Sequence, residues 1–121
     1  MGTFFHPITF IGPNGDEVTA DGLVDAGAPF SMAPAGLLIG LGVKPTSTVR
    51  MLVASGETQA YPLGLVEATI DGEHSPILCL FGPEETPVLI GAHALDAFLL
   101  TVDPAEQRLV PKVAYLANRM W

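Results

Sequence analysis

Short apolar runs alternate with turn-forming residues along the chain. Residues 4–11 and 18–24 are rich in apolar and β-branched side chains, and the Pro-Asn-Gly-Asp sequence at 13–16 between them is typical of a tight turn. The pattern therefore predicts a β-hairpin that ends on Asp25. Pro7 indicates that the first strand lies at an edge, or that its pairing starts after it.

Two short segments have the apolar spacing of a helix, at residues 35–41 and 92–99. Pro34 suits the first turn of the first helix, and Gly42 suits the position just after its end. The residues between the first hairpin and this helix, 30–34, are predicted to form a loop.

The middle of the chain is typical of strands joined by tight turns. Runs at 48–54 and 59–70 flank a small, polar tip around Ser55 and Gly56, which predicts an exposed and mobile hairpin. The Asp-Gly pair at 71–72 predicts a second tight turn. Further apolar runs lie at 75–81, 87–91, 100–102 and 108–110.

Many short strands at hairpin spacing predict an all-β barrel or sandwich. A length of 121 residues suits one hydrophobic core, so we expect a single domain over residues 1–121. The amphipathic segment 114–121 is predicted to be a helix or an interface tail.

Composition narrows the choice of partners. Hydrophobic residues make up 49% of the chain and charged residues only 15%, which favours an oligomer that hides part of the apolar surface. The net charge of −8, with five basic residues, lacks the positive field that nucleic acids and anionic membranes attract, so neither is expected as a partner. The single cysteine, Cys79, lies in an apolar run and is expected to be buried.

No targeting or membrane-spanning segment is evident in the sequence. The N-terminus lacks a basic stretch followed by an apolar run, and prolines and glycines interrupt the uncharged run at 26–43. We therefore expect a cytoplasmic protein. His6, His74 and His93 are widely separated and show no metal-ligand spacing, so neither a metal nor another cofactor is expected.

The strongest candidate for chemistry is Asp25, which two apolar residues precede. A turn of small residues follows it, namely Ala26, Gly27 and Ala28. By itself an Asp-x-Gly sequence most often marks only a strand end and a turn. Here two further features accompany it: the glycine-bearing hairpin tip near the middle of the chain, and the Ile90-Gly91 pair before a short helix.

In this order and spacing, the chain resembles the retropepsin-like aspartic proteases over roughly residues 18–110. This single-domain class includes retroviral proteases and small bacterial relatives. The resemblance implies a closed β-barrel of short hairpins that forms a homodimer. It implies that Asp25 is the catalytic aspartate and that Ala26, Gly27 and Ala28 form the active-site turn. It also implies that Ile90-Gly91 is the element that crosses beneath this turn, and that the hairpin around Ser55 and Gly56 is the flap that closes over a peptide.

The class hydrolyses peptide bonds with two carboxylates that share one proton. This chain has one suitable Asp-x-Gly turn, because the Asp-Gly pair at 71–72 lies between strands and the pair at 21–22 is too near Asp25 to oppose it. A working site is therefore expected to need a homodimer, with Asp25 of each copy facing the other across a two-fold axis. The expected partners are a peptide or protein substrate and a second copy of the chain.

Three positions depart from the pattern of this class. Ala26 replaces the usual Thr or Ser, whose hydroxyl braces the two turns across the dimer, so activity and dimer strength are in question while the fold is not. Ala28 has no hydroxyl to stabilise an ionised carboxylate, which predicts a less acidic pH optimum than that of relatives with Ser or Thr there. Pro29 replaces an acidic residue that is common in retroviral members. The alternative interpretation, based on Ala26, is a catalytically weak or inactive dimeric β module that binds peptides or protein partners.

Overall fold

The computed structural model describes residues 3–113, which form nine strands and two short helices. The strands are β1 (Phe4–Ile11), β2 (Glu17–Val24), β3 (Ser31–Pro34), β4 (Ser47–Leu52), β5 (Thr58–Ile70), β6 (Glu73–Gly82), β7 (Leu89–Ile90), β8 (Leu100–Asp103) and β9 (Arg108–Pro111). The helices are α1 (Ala35–Gly40), between β3 and β4, and α2 (Ala92–Ala97), between β7 and β8. Neither helix in this part of the chain has the length and apolar character that a membrane crossing requires. The predicted interface tail at 114–121 lies outside the described residues.

Seven strands form one mixed sheet in the order β1-β2-β7-β3-β6-β5-β4. β1 also pairs with β5, through residues 9–11 opposite residues 67–69, so the strands from β1 to β5 close into a ring. β8 and β9 form a separate two-stranded sheet. The predicted all-β class is therefore confirmed.

The tight turns that the sequence predicts set the register of the hairpins. Asp71 and Gly72 have φ values of 51° and 81°, and a two-residue hairpin turn of type I′ requires positive φ at both central positions. This turn places Ile70 opposite Glu73 and so fixes the long β5–β6 pair. Gly42 has φ 87° just after α1, as expected for a residue that ends a helix.

Residues 31–34 form a strand, so the loop predicted at 30–34 is wrong. β3 pairs in parallel with β6 and meets β7 on its other side. Its Ser31 and Ala33 side chains are buried. A Ser-Met-Ala-Pro sequence has little β propensity of its own. The strand therefore forms because the neighbouring strands β6 and β7 supply partners for its backbone hydrogen bonds.

The core is formed by one face of the ring and by the apolar faces of both helices. Alternate positions along each strand supply the side chains of the core, because successive residues of a strand point to opposite faces. Its members include Ile8, Phe10, Val24, Leu38, Val66, Ile70, Ile77, Cys79, Phe81, Ile90 and Leu95. The expectation that Cys79 is buried is thus confirmed, and this burial raises the pKa of its thiol to about 12.

β1 shows where Pro7 affects pairing. The strand pairs with β2 along its whole length, but pairing with β5 begins only at Thr9, after the proline. Earlier in β1, before Thr9, His6 Nε2 lies 2.9 Å from Asp71 Oδ1. A side-chain contact therefore links β1 to the β5–β6 turn where the backbone ladder stops.

Candidate active site

Asp25 follows directly after β2, and backbone hydrogen bonds to β7 and the residue before it hold that end of β2 in place. The Leu23 N–H donates to Val88 O at 2.8 Å, and the Asp25 N–H donates to Ile90 O at 3.0 Å. β7 runs parallel to β2 here, with Val24 opposite Ile90. The structure therefore brings Ile90 against the start of the Asp25 turn.

The turn after Asp25 orients its carboxylate. The Gly27 N–H donates to Asp25 Oδ1 at 3.0 Å, and the Ala28 N–H donates to the Asp25 carbonyl oxygen at 3.1 Å. Asp25 is half-buried, whereas Ala26 and Gly27 are exposed. The backbone thus holds one carboxylate oxygen while the residue remains accessible from solvent.

Gly91 allows the backbone to pass beside this turn at close range. A Cβ there would lie 2.5 Å from Phe30 O and 2.8 Å from Ala28 O, both of which are backbone atoms. The Gly91 N–H donates to Ser31 Oγ at 3.1 Å, and the Ala92 N–H donates to Ala28 O at 2.7 Å. The start of α2 therefore fixes the chain that follows the turn.

Ser31 is a supporting residue that sequence reasoning missed. Its side chain is only 1% exposed, and its hydroxyl oxygen accepts the Gly91 N–H. The sequence placed it in a loop. No local pattern distinguishes it from a turn serine, because its partner lies 60 positions away.

A pocket of about 530 Å³ opens beside Asp25. Its lining comes from Thr3, Phe4 and Val24, from the turn residues 25–27, and from Val102 and Pro104 of the β8–β9 hairpin. Asp25 carries the one charged side chain among the described residues that line it. The pocket therefore combines a single acid with a mostly apolar surface.

A second apolar surface lies on the side of the sheet that faces away from the core. Residues that pair in register across neighbouring strands share a face of the sheet. The register joins six apolar side chains, of which Leu80 and Leu63 are buried; they are here called the outer row: Phe5, Leu23, Leu89, Met32, Leu80 and Leu63. Leu23 lies near the end of β2, two positions before Asp25, so one member of the outer row is close to the candidate acid along the chain.

The β4–β5 hairpin extends the outer row. Ser47 lies opposite Leu63, and the next pair on the same face is Val49 with Tyr61. Both of these side chains are half-buried. The hairpin thus continues the apolar surface beyond the ring.

The tip of this hairpin is a tight turn, as predicted. The Gly56 N–H donates to Val53 O at 2.9 Å, and Gly56 has φ 90°. Ser55 and Gly56 are exposed and are not among the residues that line the Asp25 pocket. The role of the tip as a flap stays a prediction.

Other polar candidates have partners within the fold. Glu84 accepts the Gly36 N–H at 2.8 Å and so ties the loop before β7 to α1. His74 Nε2 lies 2.7 Å from Glu67 Oε1. In residues 3–113, no three side chains of His, Cys, Asp or Glu come together in a group that could hold a metal ion.

Comparison with known proteins gives matches only among solved structures: no protein-family model matches the sequence, and no curated protein matches it significantly. The retroviral protease-like domain of Ddi1 from Leishmania major matches with a TM-score of 0.61 and 16% identity, over 92% of this chain and 89% of that one. A retropepsin-like aspartic protease from Rickettsia conorii matches with a TM-score of 0.54 and 22% identity, over 85% of this chain and 89% of that one. The simian foamy virus protease matches with a TM-score of 0.57 and 13% identity, over 77% and 92% of the two chains.

These matches confirm the predicted resemblance as a likeness of fold. They cover most of the chain in each case, while the sequences have diverged widely. A shared fold does not by itself establish a shared activity. The chain has the retropepsin-like fold.

Proposed function

We propose that the protein is an aspartic endopeptidase that hydrolyses peptide bonds at a site shared by two copies of the chain. The observation that carries this proposal is the position of Asp25, which lies in an open pocket and accepts the Gly27 N–H at 3.0 Å. The retropepsin-like fold, which proteases of a retrovirus and of Rickettsia conorii also have, supports the same chemistry.

The reaction needs two carboxylates in different protonation states. Two like charges in contact do not both ionise at low cost, so the pair holds one shared proton. The ionised member takes a proton from water, the water oxygen attacks the carbonyl carbon, and the protonated member donates its proton to the carbonyl oxygen. The tetrahedral intermediate then collapses, the C–N bond breaks, and a proton passes to the leaving nitrogen.

Each chain contributes one such acid, so the proposed enzyme is a homodimer in which the two Asp25 side chains face each other. The exposed Ala26 and the mostly apolar pocket beside Asp25 support this arrangement, because a second copy would cover that surface. The two carboxylates would then titrate as a pair.

The outer row indicates which peptides this site would accept. Leu23 and Leu89 are half-buried, lie in register, and belong to the outer row, in which Leu23 comes two residues before Asp25. Side chains of the substrate that are apolar would bury this surface on binding. We therefore expect cleavage between apolar residues.

The β4–β5 hairpin is the proposed flap, with Ser55 and Gly56 at its tip. Two features support this role: the tip is exposed, and Leu52 at the end of β4 is 73% exposed. An apolar side chain in that position would be covered if the hairpin closed over a bound peptide.

The proposal is tested by digestion of an unfolded protein over a range of acidic to neutral pH, with and without a pepstatin-type inhibitor. Asp25→Asn is the matched control, because asparagine has nearly the same shape and retains an oxygen that can accept the Gly27 N–H. We expect the wild-type protein to cleave, the inhibitor to block cleavage, and Asp25→Asn to be inactive. Cleavage that survives in Asp25→Asn would exclude the aspartic mechanism. Absence of cleavage at every pH and concentration would overturn the proposal in favour of the non-catalytic β module.

A further inference from the structure

The first half of β1 has a neighbouring strand on one side only. Residues 4–8 pair with β2, whereas pairing with β5 begins at Thr9. At the edge that β5 leaves unpaired, His6 Nε2 lies 2.9 Å from Asp71 Oδ1, across 65 positions of the chain. The His6 side chain is 19% exposed and that of Asp71 is 57% exposed. A side-chain contact therefore joins β1 to the β5–β6 turn where no backbone ladder does.

This half of β1 forms part of the wall of the pocket beside Asp25. Phe4 lines the pocket and lies opposite Val24 of β2. Phe4 and His6 are two positions apart, so they share the core-facing side of the strand, and both are half-buried. A movement of His6 away from the turn would therefore shift Phe4 and the pocket wall with it.

The charged groups around His6 are negative. β1 packs on β2 and β5, and neither these strands nor β6 contain a lysine or an arginine. On β2, Gly22 lies opposite His6, and Asp21 alternates to the other face of the sheet. The β5–β6 hairpin supplies Asp71, in contact with the ring, and Glu73, which the register places on the same side of the hairpin as the core. A proton on the His6 ring therefore adds attraction without bringing it near a cation of these strands.

We propose that His6 and Asp71 form a pH-sensitive latch that holds the first half of β1, and with it Phe4 of the pocket wall, more firmly at acidic than at neutral pH. Histidine side chains ordinarily gain a proton as the pH falls from about 8 to about 5, whereas aspartate carboxyls stay ionised in that range. A neutral ring donates an ordinary hydrogen bond to Asp71, and a protonated ring donates a charge-assisted one, which is stronger. The added attraction is thus present in acid and is lost as the pH rises and His6 releases its proton.

The latch belongs to the fold, so its test needs no catalytic activity. Hydrogen exchange of single backbone amides is measured by NMR at about pH 5.5 and about pH 8, on either side of the histidine range. Exchange is expressed as protection factors, which correct for the effect of pH on exchange from an unfolded chain. We expect the amides of residues 4–8 that bond to β2 to be protected about threefold more at the lower pH, relative to residues 9–11, which pair on both sides.

Two variants remove the latch without removing the side chains. His6→Gln keeps a hydrogen-bond donor but does not titrate, and Asp71→Asn removes the charge while keeping a residue that this type of turn favours. Each should abolish the pH dependence of residues 4–8. Asp71→Asn, which changes an exposed turn residue, decides the outcome if His6→Gln does not fold.

His74→Gln is the matched control. His74 Nε2 also contacts a carboxylate, Glu67 Oε1 at 2.7 Å, but this pair lies between β5 and β6, which already pair with each other there. The control should leave the pH dependence of β1 intact. The proposal is overturned if protection of residues 4–8 in the wild-type protein does not change with pH, if the latch variants retain the change, or if His74→Gln abolishes it equally.

Discussion

Backbone atoms, more than side chains, orient Asp25 within the chain. The Gly27 N–H bonds to its carboxylate, and Ile90 O accepts its N–H. Ala26, between Asp25 and Gly27, is exposed and contributes only a methyl group. In the proposed dimer, the hydroxyl that Ala26 lacks would therefore face the second chain, while the local geometry of the acid does not depend on it.

Ala26→Thr should strengthen the proposed dimer, because each copy gains a hydroxyl that can donate across the two-fold axis. A hydrogen bond contributes about 0.5–1.5 kcal/mol, so two such bonds predict a dimer dissociation constant that falls by roughly 5- to 150-fold. Sedimentation measures the dissociation constant, and peptide cleavage reports whether kcat/KM rises with it. Ala26→Val, which has the shape of threonine without its hydroxyl, should not reproduce the gain. Equal behaviour of the two variants, or no change in either, would refute this explanation of position 26.

Gly91→Ala should destabilise the fold by about 1–3 kcal/mol, because the new Cβ overlaps the backbone of the segment after the Asp25 turn. The overlap is with Phe30 O at 2.5 Å and Ala28 O at 2.8 Å. Urea unfolding measures the change. Gly40→Ala is the matched control, since nothing lies within 4 Å of a Cβ there, and it should be neutral or stabilising by up to about 1 kcal/mol. Similar effects at both positions would contradict the close packing at Gly91.

At the scale of elements, β7 and the start of α2 connect the parts of the candidate site. β7 has only two residues, yet it pairs in parallel with β2 and meets β3 on its other side. The first residues of α2 then bond to the carbonyls of Ala28 and Pro29. The position of the Asp25 turn thus depends on segments more than 60 residues later in the chain.

β6 carries a titratable group that should make stability depend on alkaline pH. Burial raises the pKa of the Cys79 thiol from 9.0 to about 12. Between these values the unfolded chain releases the thiol proton while the folded chain retains it, so stability falls as pH rises above about 9. Between about pH 8 and about pH 10, the wild-type protein should lose roughly 1 kcal/mol more stability than Cys79→Ala in urea unfolding. An identical pH dependence of the two proteins would show that Cys79 does not ionise on unfolding.

The hairpins were predictable because their signals are local. The Asp71-Gly72 turn and the strands on both sides of it can be located from a few neighbouring residues. β3 was not predictable, since its partner residues on β6 lie far along the chain, as in the pair of Ser31 with Cys79. The closure of β1 onto β5 is non-local in the same way.

The candidate site was predictable only through the order of its motifs. Asp25, Gly27 and Gly91 could be identified because their combined spacing resembles that of a known class. The role of the Ser31 hydroxyl could not, because it depends on a contact across 60 residues. Residue type and local pattern carry no information about such contacts.

At the scale of the whole molecule, a small chain exposes several large apolar side chains. Among the described residues these include Phe5 at 62%, Leu52 at 73% and Leu99 at 53% exposure. With one candidate acid per chain, the proposed chemistry also needs a second copy. Association would therefore both complete the site and cover apolar surface.

The most direct test of this account is the activity of mixed dimers. Wild-type and Asp25→Asn chains are unfolded, combined in equal amounts and refolded together, with a mixture of wild-type and Glu85→Gln chains as the carboxyl-to-amide control. If two copies share one site, only pairs of wild-type chains are active, and the Asp25→Asn mixture should retain about one quarter of the activity of the same total amount of wild-type protein. Retention of about one half would mean that each chain works alone, and would contradict the shared site.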